Sequence, residues 1–160
     1  MKALALAALI AVLGAGTASA QTMEKKALTL AAAKKIAAAA EQTANQNNWT
    51  VVIAIVDEGG HLMYLSRIDG TQYGSIDVAI RKARTASAFK RPTKVFEDAI
   101  AGGRTALLGL NAALPLEGGL PLVLDGKVIG AIGVSGVTSQ QDGVVAKAGA
   151  DAVTEATMSR

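Results

Sequence analysis

Residues 118–136, Gly-Gly-Leu-Pro-Leu-Val-Leu-Asp-Gly-Lys-Val-Ile-Gly-Ala-Ile-Gly-Val-Ser-Gly, read as a β-hairpin. Leu122, Val123 and Leu124 run into Asp125-Gly126, a pair that accepts the positive φ angles of a type I′ turn, and Val128, Ile129, Ile132 and Val134 carry the return strand. Gly130, Gly133 and Gly136 sit inside or at the end of that strand, where glycine costs stability. Their presence predicts a backbone that must stay free of side chains, for a bulge or for close approach of another surface.

Working outward from the hairpin, Thr29 caps a helix reaching about Gln46, with Leu30, Ala33, Ile36, Ala37, Ala40 and Ala44 on one face. The β-branched run Val51 to Val56, bounded by Asn47-Asn48 and by Asp57-Glu58-Gly59-Gly60, is a buried strand, and Leu62 to Ile68 pairs with it. Ser75 opens a second helix that reaches Phe89 and is ended by Pro92, with Asp77 and Arg81 paired at i, i+4. A short helix over Lys94 to Ala101 stops at Gly102-Gly103, and a further turn spans Thr105 to Leu110. Ser139 caps a final helix, with Asp142 at its third position and Val145, Ala148, Ala152 and Ala156 at helical spacing. The resulting order, α-β-β-α-(short α)-β-β-β-α, predicts an α+β fold with a mainly antiparallel sheet flanked by helices, not a Rossmann alternation.

The amino terminus predicts export. Lys2, the apolar run Ala3 to Val12 and the small residues Ala18-Ser19-Ala20 have the layout of a secretory signal peptide over residues 1–20, so the mature chain begins at Gln21. The apolar run is too short for the ~20 residues of a spanning helix, so no membrane anchor is expected after cleavage. Residues 21–160 suffice for one domain, and no repeat or composition break suggests a second. The location expected is periplasmic or secreted.

Composition narrows the chemistry. The formal charge of +3 falls to +2 without Lys2, and the basic residues are scattered. Trp49, Tyr64, Tyr73, Phe89 and Phe96 are too few for a stacking platform, so nucleic acid is not an expected partner. There is no cysteine, which excludes disulfides, thiolate ligands, a Cys nucleophile and Cys-x-x-Cys-His haem attachment. A core rich in Ala and Gly, without disulfides, makes close subunit packing and homo-oligomerisation the expectation.

Several segments together resemble the GlcG/HbpS-like family of haem-binding and haem-associated proteins. They are Leu-Thr-Leu-Ala-Ala-Ala-Lys-Lys-Ile at 28–36, Val-Asp-Glu-Gly-Gly-His-Leu at 56–62, Arg-Ile-Asp-Gly at 67–70, Lys-Ala-Arg-Thr-Ala at 82–86, Arg-Pro-Thr at 91–93, and the block 118–136. The likeness covers residues 28 to 156. It implies a profilin-like fold, multi-subunit assembly and a haem or related tetrapyrrole as cofactor, bound non-covalently in an apolar crevice. Relatives are also associated with glycolate-utilisation operons and with cobalamin enzymes. A small-carboxylate-binding accessory protein using Arg67 or Arg104, or a structural oligomeric subunit without a ligand, are therefore the alternatives.

His61 heads the residues able to carry such a function. It is the chain's one histidine, it follows Gly59-Gly60, and a neutral imidazole is both a haem-iron ligand and a general base; the bland alternative is a surface turn histidine. Met63, two residues on, would share its strand face, with Tyr64 on the other. Tyr73, in the loop after Arg67-Ile68-Asp69-Gly70, is a possible oxygen ligand. Arg67 is a candidate propionate partner or half of a turn-locking ion pair with Asp69. Lys82, Arg84, Lys90, Arg91 and Arg104 are further cations, with Lys82 and Arg84 expected at solvated helix positions. Asp151 and Glu155, at i, i+4, make a weak metal pair against a solvated surface, and Asp57 and Glu58 are explained by turn chemistry.

Catalytic signatures are scarce. A single histidine and no cysteine give poor support to a Ser-His-Asp or zinc-hydrolase site, and the hairpin glycines form neither Gly-x-Gly-x-x-Gly nor Gly-x-Ser-x-Gly. Binding, rather than catalysis, is the expectation.

Overall fold

The structure is a computed structural model that describes residue 23 and residues 25–158. Residues 1–20, for which the sequence predicts a signal peptide, lie outside the described residues.

A four-stranded antiparallel sheet, in the order β2-β1-β4-β3, is flanked by helices. The elements are α1 (Leu30–Gln46), β1 (Val52–Asp57), β2 (Leu62–Arg67), α2 (Gly74–Phe89), α3 (Lys94–Ala101), a 3-10 turn (Thr105–Gly109), β3 (Gly119–Leu124), β4 (Lys127–Ser135), α4 (Ser139–Asp151) and α5 (Val153–Met158). The α+β expectation holds. The hairpin is formed by β3 and β4, and Asp125 and Gly126 have φ of 49° and 72°, as a type I′ turn requires.

β1 is central and alternates between two cores. Val51, Ile53 and Ile55 belong to the main cluster with Ile36 and Ala40 of α1 and Val145 and Ala146 of α4. Val52 and Ala54 pack with Ala79, and Val56 with Ala83 and Ala86, beneath α2. Two-sided burial explains why β1 is a continuous apolar run. The same geometry answers the question posed by the hairpin glycines. Gly133 stands opposite Ala54, and a Cβ there would strike the Ala79 carbonyl and come within 2.5 Å of the Ala83 amide. α2 therefore lies directly on the backbone of β4. Cβ atoms at Gly130 and Gly136 would meet the carbonyls of Val56 and Thr50.

Three local expectations are corrected. Two strands, not three, follow the short helix, because residues 127–135 form one uninterrupted strand. α2 ends at Lys90, which turns left-handed with φ 52°, before Pro92 is reached. The final helix is capped by Thr138, not Ser139; Thr138 and Gln141 form a reciprocal capping box, and the helix breaks at Ala152 into α4 and α5. Thr29 caps α1 as expected, its hydroxyl accepting from the Ala32 amide.

Candidate functional site

A cleft of about 470 Å³ opens beside the turn joining β1 to β2. Its walls come from Gly59, Gly60 and His61, from the outer face of α2 at Arg81, Arg84, Thr85 and Ala88, and from the loop 111–114. Helical spacing puts residues 81, 84, 85 and 88 on one face. Arg84 donates from Nε to the Gly60 carbonyl at 3.1 Å, tying α2 to the turn while leaving its terminal nitrogens for another partner. The Thr85 hydroxyl donates to the Arg81 carbonyl at 2.8 Å and accepts from the Leu114 amide at 2.8 Å, anchoring the loop. Two guanidinium groups, one imidazole and the side chains of Ala88, Ala112, Ala113 and Leu114 make a donor set for an anionic ligand with an apolar body.

His61 is positioned by its own turn. The Asp57 carboxylate oxygen Oδ1 accepts the amides of Gly59 at 2.9 Å and His61 at 2.8 Å, and lies 3.4 Å from His61 Nδ1. The His61 amide, with the imidazole's charge and the Gly59 amide, holds the Asp57 carboxyl below the usual aspartate range against an opposing contribution from burial. The imidazole itself is 83% exposed, so one ring nitrogen can reach a ligand in the cleft.

The other candidates fall elsewhere. Met63 occupies a β-bulge: Ile55 faces Tyr64 and Val56 faces Leu62, leaving Met63 without a partner. The bulge breaks the two-residue alternation, so Met63 and Tyr64 both pack against the α1 and α4 core, and the expected shared face of His61 and Met63 is lost. Arg67 and Tyr73 do meet each other, the guanidinium lying 4.7 Å above the Tyr73 ring and donating to the Thr71 carbonyl at 3.5 Å. Arg67 makes no ion pair with Asp69 among those of the described residues. It stands at the far end of β2, six residues from His61, or roughly 20 Å at ~3.3 Å per residue. Asp151 pairs with Lys147 at 2.7 Å, and among the described residues no group of three or more acidic, histidine or cysteine side chains could hold a metal ion.

Lys82 overturns the expectation that it is solvated. Its side chain is 2% exposed, and Nζ donates to Asp142 Oδ2 at 2.8 Å and to the Val134 carbonyl at 3.0 Å. Asp142, read from sequence as a capping residue, is the buried partner; its Oδ1 accepts the Val137 amide at 3.2 Å. Burial pushes the Asp142 carboxyl up, outweighing the Lys82 ammonium and the neighbouring amides. The pair joins α2, β4 and α4, fixing the helix whose outer face forms the cleft. Sequence reading missed Arg81 as a wall residue, along with the loop 111–114. The i, i+3 spacing of Arg81 and Arg84 was the available signal.

A family model described as haem-degrading protein HbpS-like matches residues 28–151. Protein GlcG of Escherichia coli K12 is 46% identical over 103 residues, covering 64% of this chain and 77% of its own. The crystal structure of HbpS superposes with TM-score 0.76 and 34% identity, over 83% of this chain and 94% of that one. The crystal structure of a PduOC:heme complex superposes with TM-score 0.71 and 30% identity, over 79% and 95%.

Proposed function

The chain belongs to the HbpS-like family, and from that premise we propose that it binds haem non-covalently in the cleft beside His61. The observation that carries the reading is the donor set itself: the chain's one imidazole and two guanidinium groups line one cleft together with apolar side chains. The fit to the group is chemical. His61 would supply an iron ligand, Arg81 and Arg84 would meet the propionates, and Ala88, Ala112, Ala113 and Leu114 would lie against the ring. Haem when bound supplies a redox-active iron, and the protein supplies its orientation and its electrostatic surroundings. Support also comes from the family and from the similar PduOC, whose structure is a haem complex. Met63, Arg67 and Tyr73 are left out of the proposed site because the fold holds them away from the cleft.

Export and assembly complete the proposal. The mature protein would begin at Gln21, fold as one domain over residues 21–160, and act in the periplasm or outside the cell. Among the described residues no helix is long and apolar enough to cross a membrane. The cleft leaves His61 exposed, whereas ligand pockets bury most of their ligand's surface. A second copy would close it. Leu108, 64% exposed, together with Leu110 and Leu116, flanks the loop 111–114 and would contribute to that contact.

Titration of hemin into residues 21–160, followed at the Soret band, tests the reading. Saturable binding with a shifted band is expected, with the band lost or displaced in His61→Ala and the affinity lowered about tenfold in Arg84→Ala, the equivalent of ~1.4 kcal/mol. A free-hemin spectrum at stoichiometric protein would refute it.

A further inference from the structure

Asp57 does more than close a turn. Two backbone amides converge on its Oδ1, from Gly59 at 2.9 Å and His61 at 2.8 Å, so the carboxylate is fixed before any side chain approaches it. Nδ1 of His61 stands 3.4 Å from the same oxygen. The ring can come this close because residue 59 is glycine: a Cβ there would stand 2.9 Å from Nδ1, 3.0 Å from Cε1 and 3.3 Å from Asp57 Oδ1. On the other side of the turn, Arg84 holds the Gly60 carbonyl at 3.1 Å, which sets the height of the His61 backbone over α2.

From this arrangement we infer that Asp57 is the positioning residue of His61, holding the imidazole as its Nδ1–H tautomer and leaving Nε2 as the unprotonated nitrogen offered to the cleft. A histidine's ligating nitrogen is set by the bond its other nitrogen makes, and a carboxylate on that second nitrogen fixes the ring's orientation and makes it a stronger electron donor to a bound metal. At 3.4 Å the two groups are in close contact, and a small rotation of the exposed ring brings Nδ1–H into hydrogen-bond range of the carboxylate. The tautomer is a property of the empty protein; its effect on bound iron rests on the haem reading given above.

Because His61 is the chain's one histidine, the tautomer can be read without assignment work. Long-range ¹H–¹⁵N spectra of the uniformly labelled ligand-free protein at pH ~8.5, above the ordinary imidazole range, distinguish protonated from unprotonated ring nitrogens. The expected pattern is Nδ1 protonated and Nε2 bare. Asp57→Asn retains a side-chain oxygen for the Gly59 and His61 amides but removes the carboxylate charge, and the Nδ1–H preference should be weakened. Gly59→Ala keeps the carboxylate and displaces the ring from it, so it should produce the same weakening. Since the His61 ring is exposed, this variant folds with the ring moved aside. A ligand-free wild type dominated by Nε2–H would overturn the inference whether or not hemin binds. With hemin added, Asp57→Asn should shift the Fe(III)/Fe(II) midpoint potential to more positive values, because an electron-rich imidazole favours the ferric state. An unchanged potential in a variant that still binds hemin through His61 would also overturn it. Nδ1–H in the wild type with no Soret change on hemin addition would uphold Asp57's role and remove the haem reading.

Discussion

Lys82 is a charged side chain buried in the core, 2% exposed. A buried ammonium is tolerated only where it is paired and hydrogen-bonded, and Asp142 and the Val134 carbonyl meet that need. Removing one partner strands the other. Lys82→Met and Asp142→Asn should each cost ~3–5 kcal/mol in urea denaturation. The double variant should cost less than their sum, with a coupling of about 2–3 kcal/mol; strict additivity would mean that the ion pair contributes nothing of its own. The same pair fixes a pH dependence. The Asp142 carboxyl is raised by burial, so above the unfolded aspartate value of about 3.9 the folded protein retains a proton that the unfolded chain has released. Stability due to this group is greatest below that value and declines as pH rises through the folded pKa. Asp142→Asn should remove this slope from a plot of unfolding free energy against pH, and a slope that persists unchanged would assign it to other groups. Asp57 acts in the opposite sense: its lowered carboxyl stabilises above the unfolded value, and this is lost as pH falls through the folded one. The buried pairing of Lys82 with Asp142 was not legible beforehand, whereas turn chemistry had marked Asp57. Lys82 occupies a helix position one residue from Arg81 and two from Arg84, and only the tertiary neighbour Asp142, sixty residues away, distinguishes it from them.

At the level of elements, residue type and spacing were sufficient where local chemistry decides the conformation. The alanine spacing of α1, the β-branched run of β1 and the Asp125-Gly126 turn were legible because each is determined by local chemistry. The bulge at Met63 was not, because an unpaired residue in a strand leaves no mark on the hydrophobic pattern of that strand alone. The hairpin glycines lie between these cases. Their sequence signals a close approach, and the structure identifies α2 as the element that makes it. Gly133→Ala follows as a test: the added Cβ meets helix backbone that no side-chain rotation can clear, so a loss of about 2 kcal/mol or more in unfolding free energy is expected. A variant as stable as the wild type would mean that α2 does not rest on β4 in this way.

Across the whole molecule, the cleft is assembled from three stretches that sequence order keeps apart: the turn after β1, the outer face of α2, and the loop 111–114. The order of elements anticipated the α+β fold, the segments at 28–36, 56–62 and 118–136 anticipated the HbpS-like family, and residue chemistry singled out His61. Where the cations stand relative to that histidine depended on the packing of α2 against the sheet, which the Lys82–Asp142 pair and Gly133 secure. Arg67 and Tyr73, equally reasonable by composition, are carried by the length of β2 to the opposite end of the sheet. The proposed haem site is therefore a place on the fold, between the His61 turn, α2 and the loop 111–114. The most direct test is titration of gallium protoporphyrin IX, a diamagnetic haem analogue, into ¹⁵N-labelled protein with backbone shifts recorded residue by residue. Perturbations concentrated at residues 59–61, 81–88 and 111–114 are predicted, with Arg67 and Tyr73 unmoved. Saturable perturbations centred on residues 67–73, with the His61 turn unaffected, would contradict it.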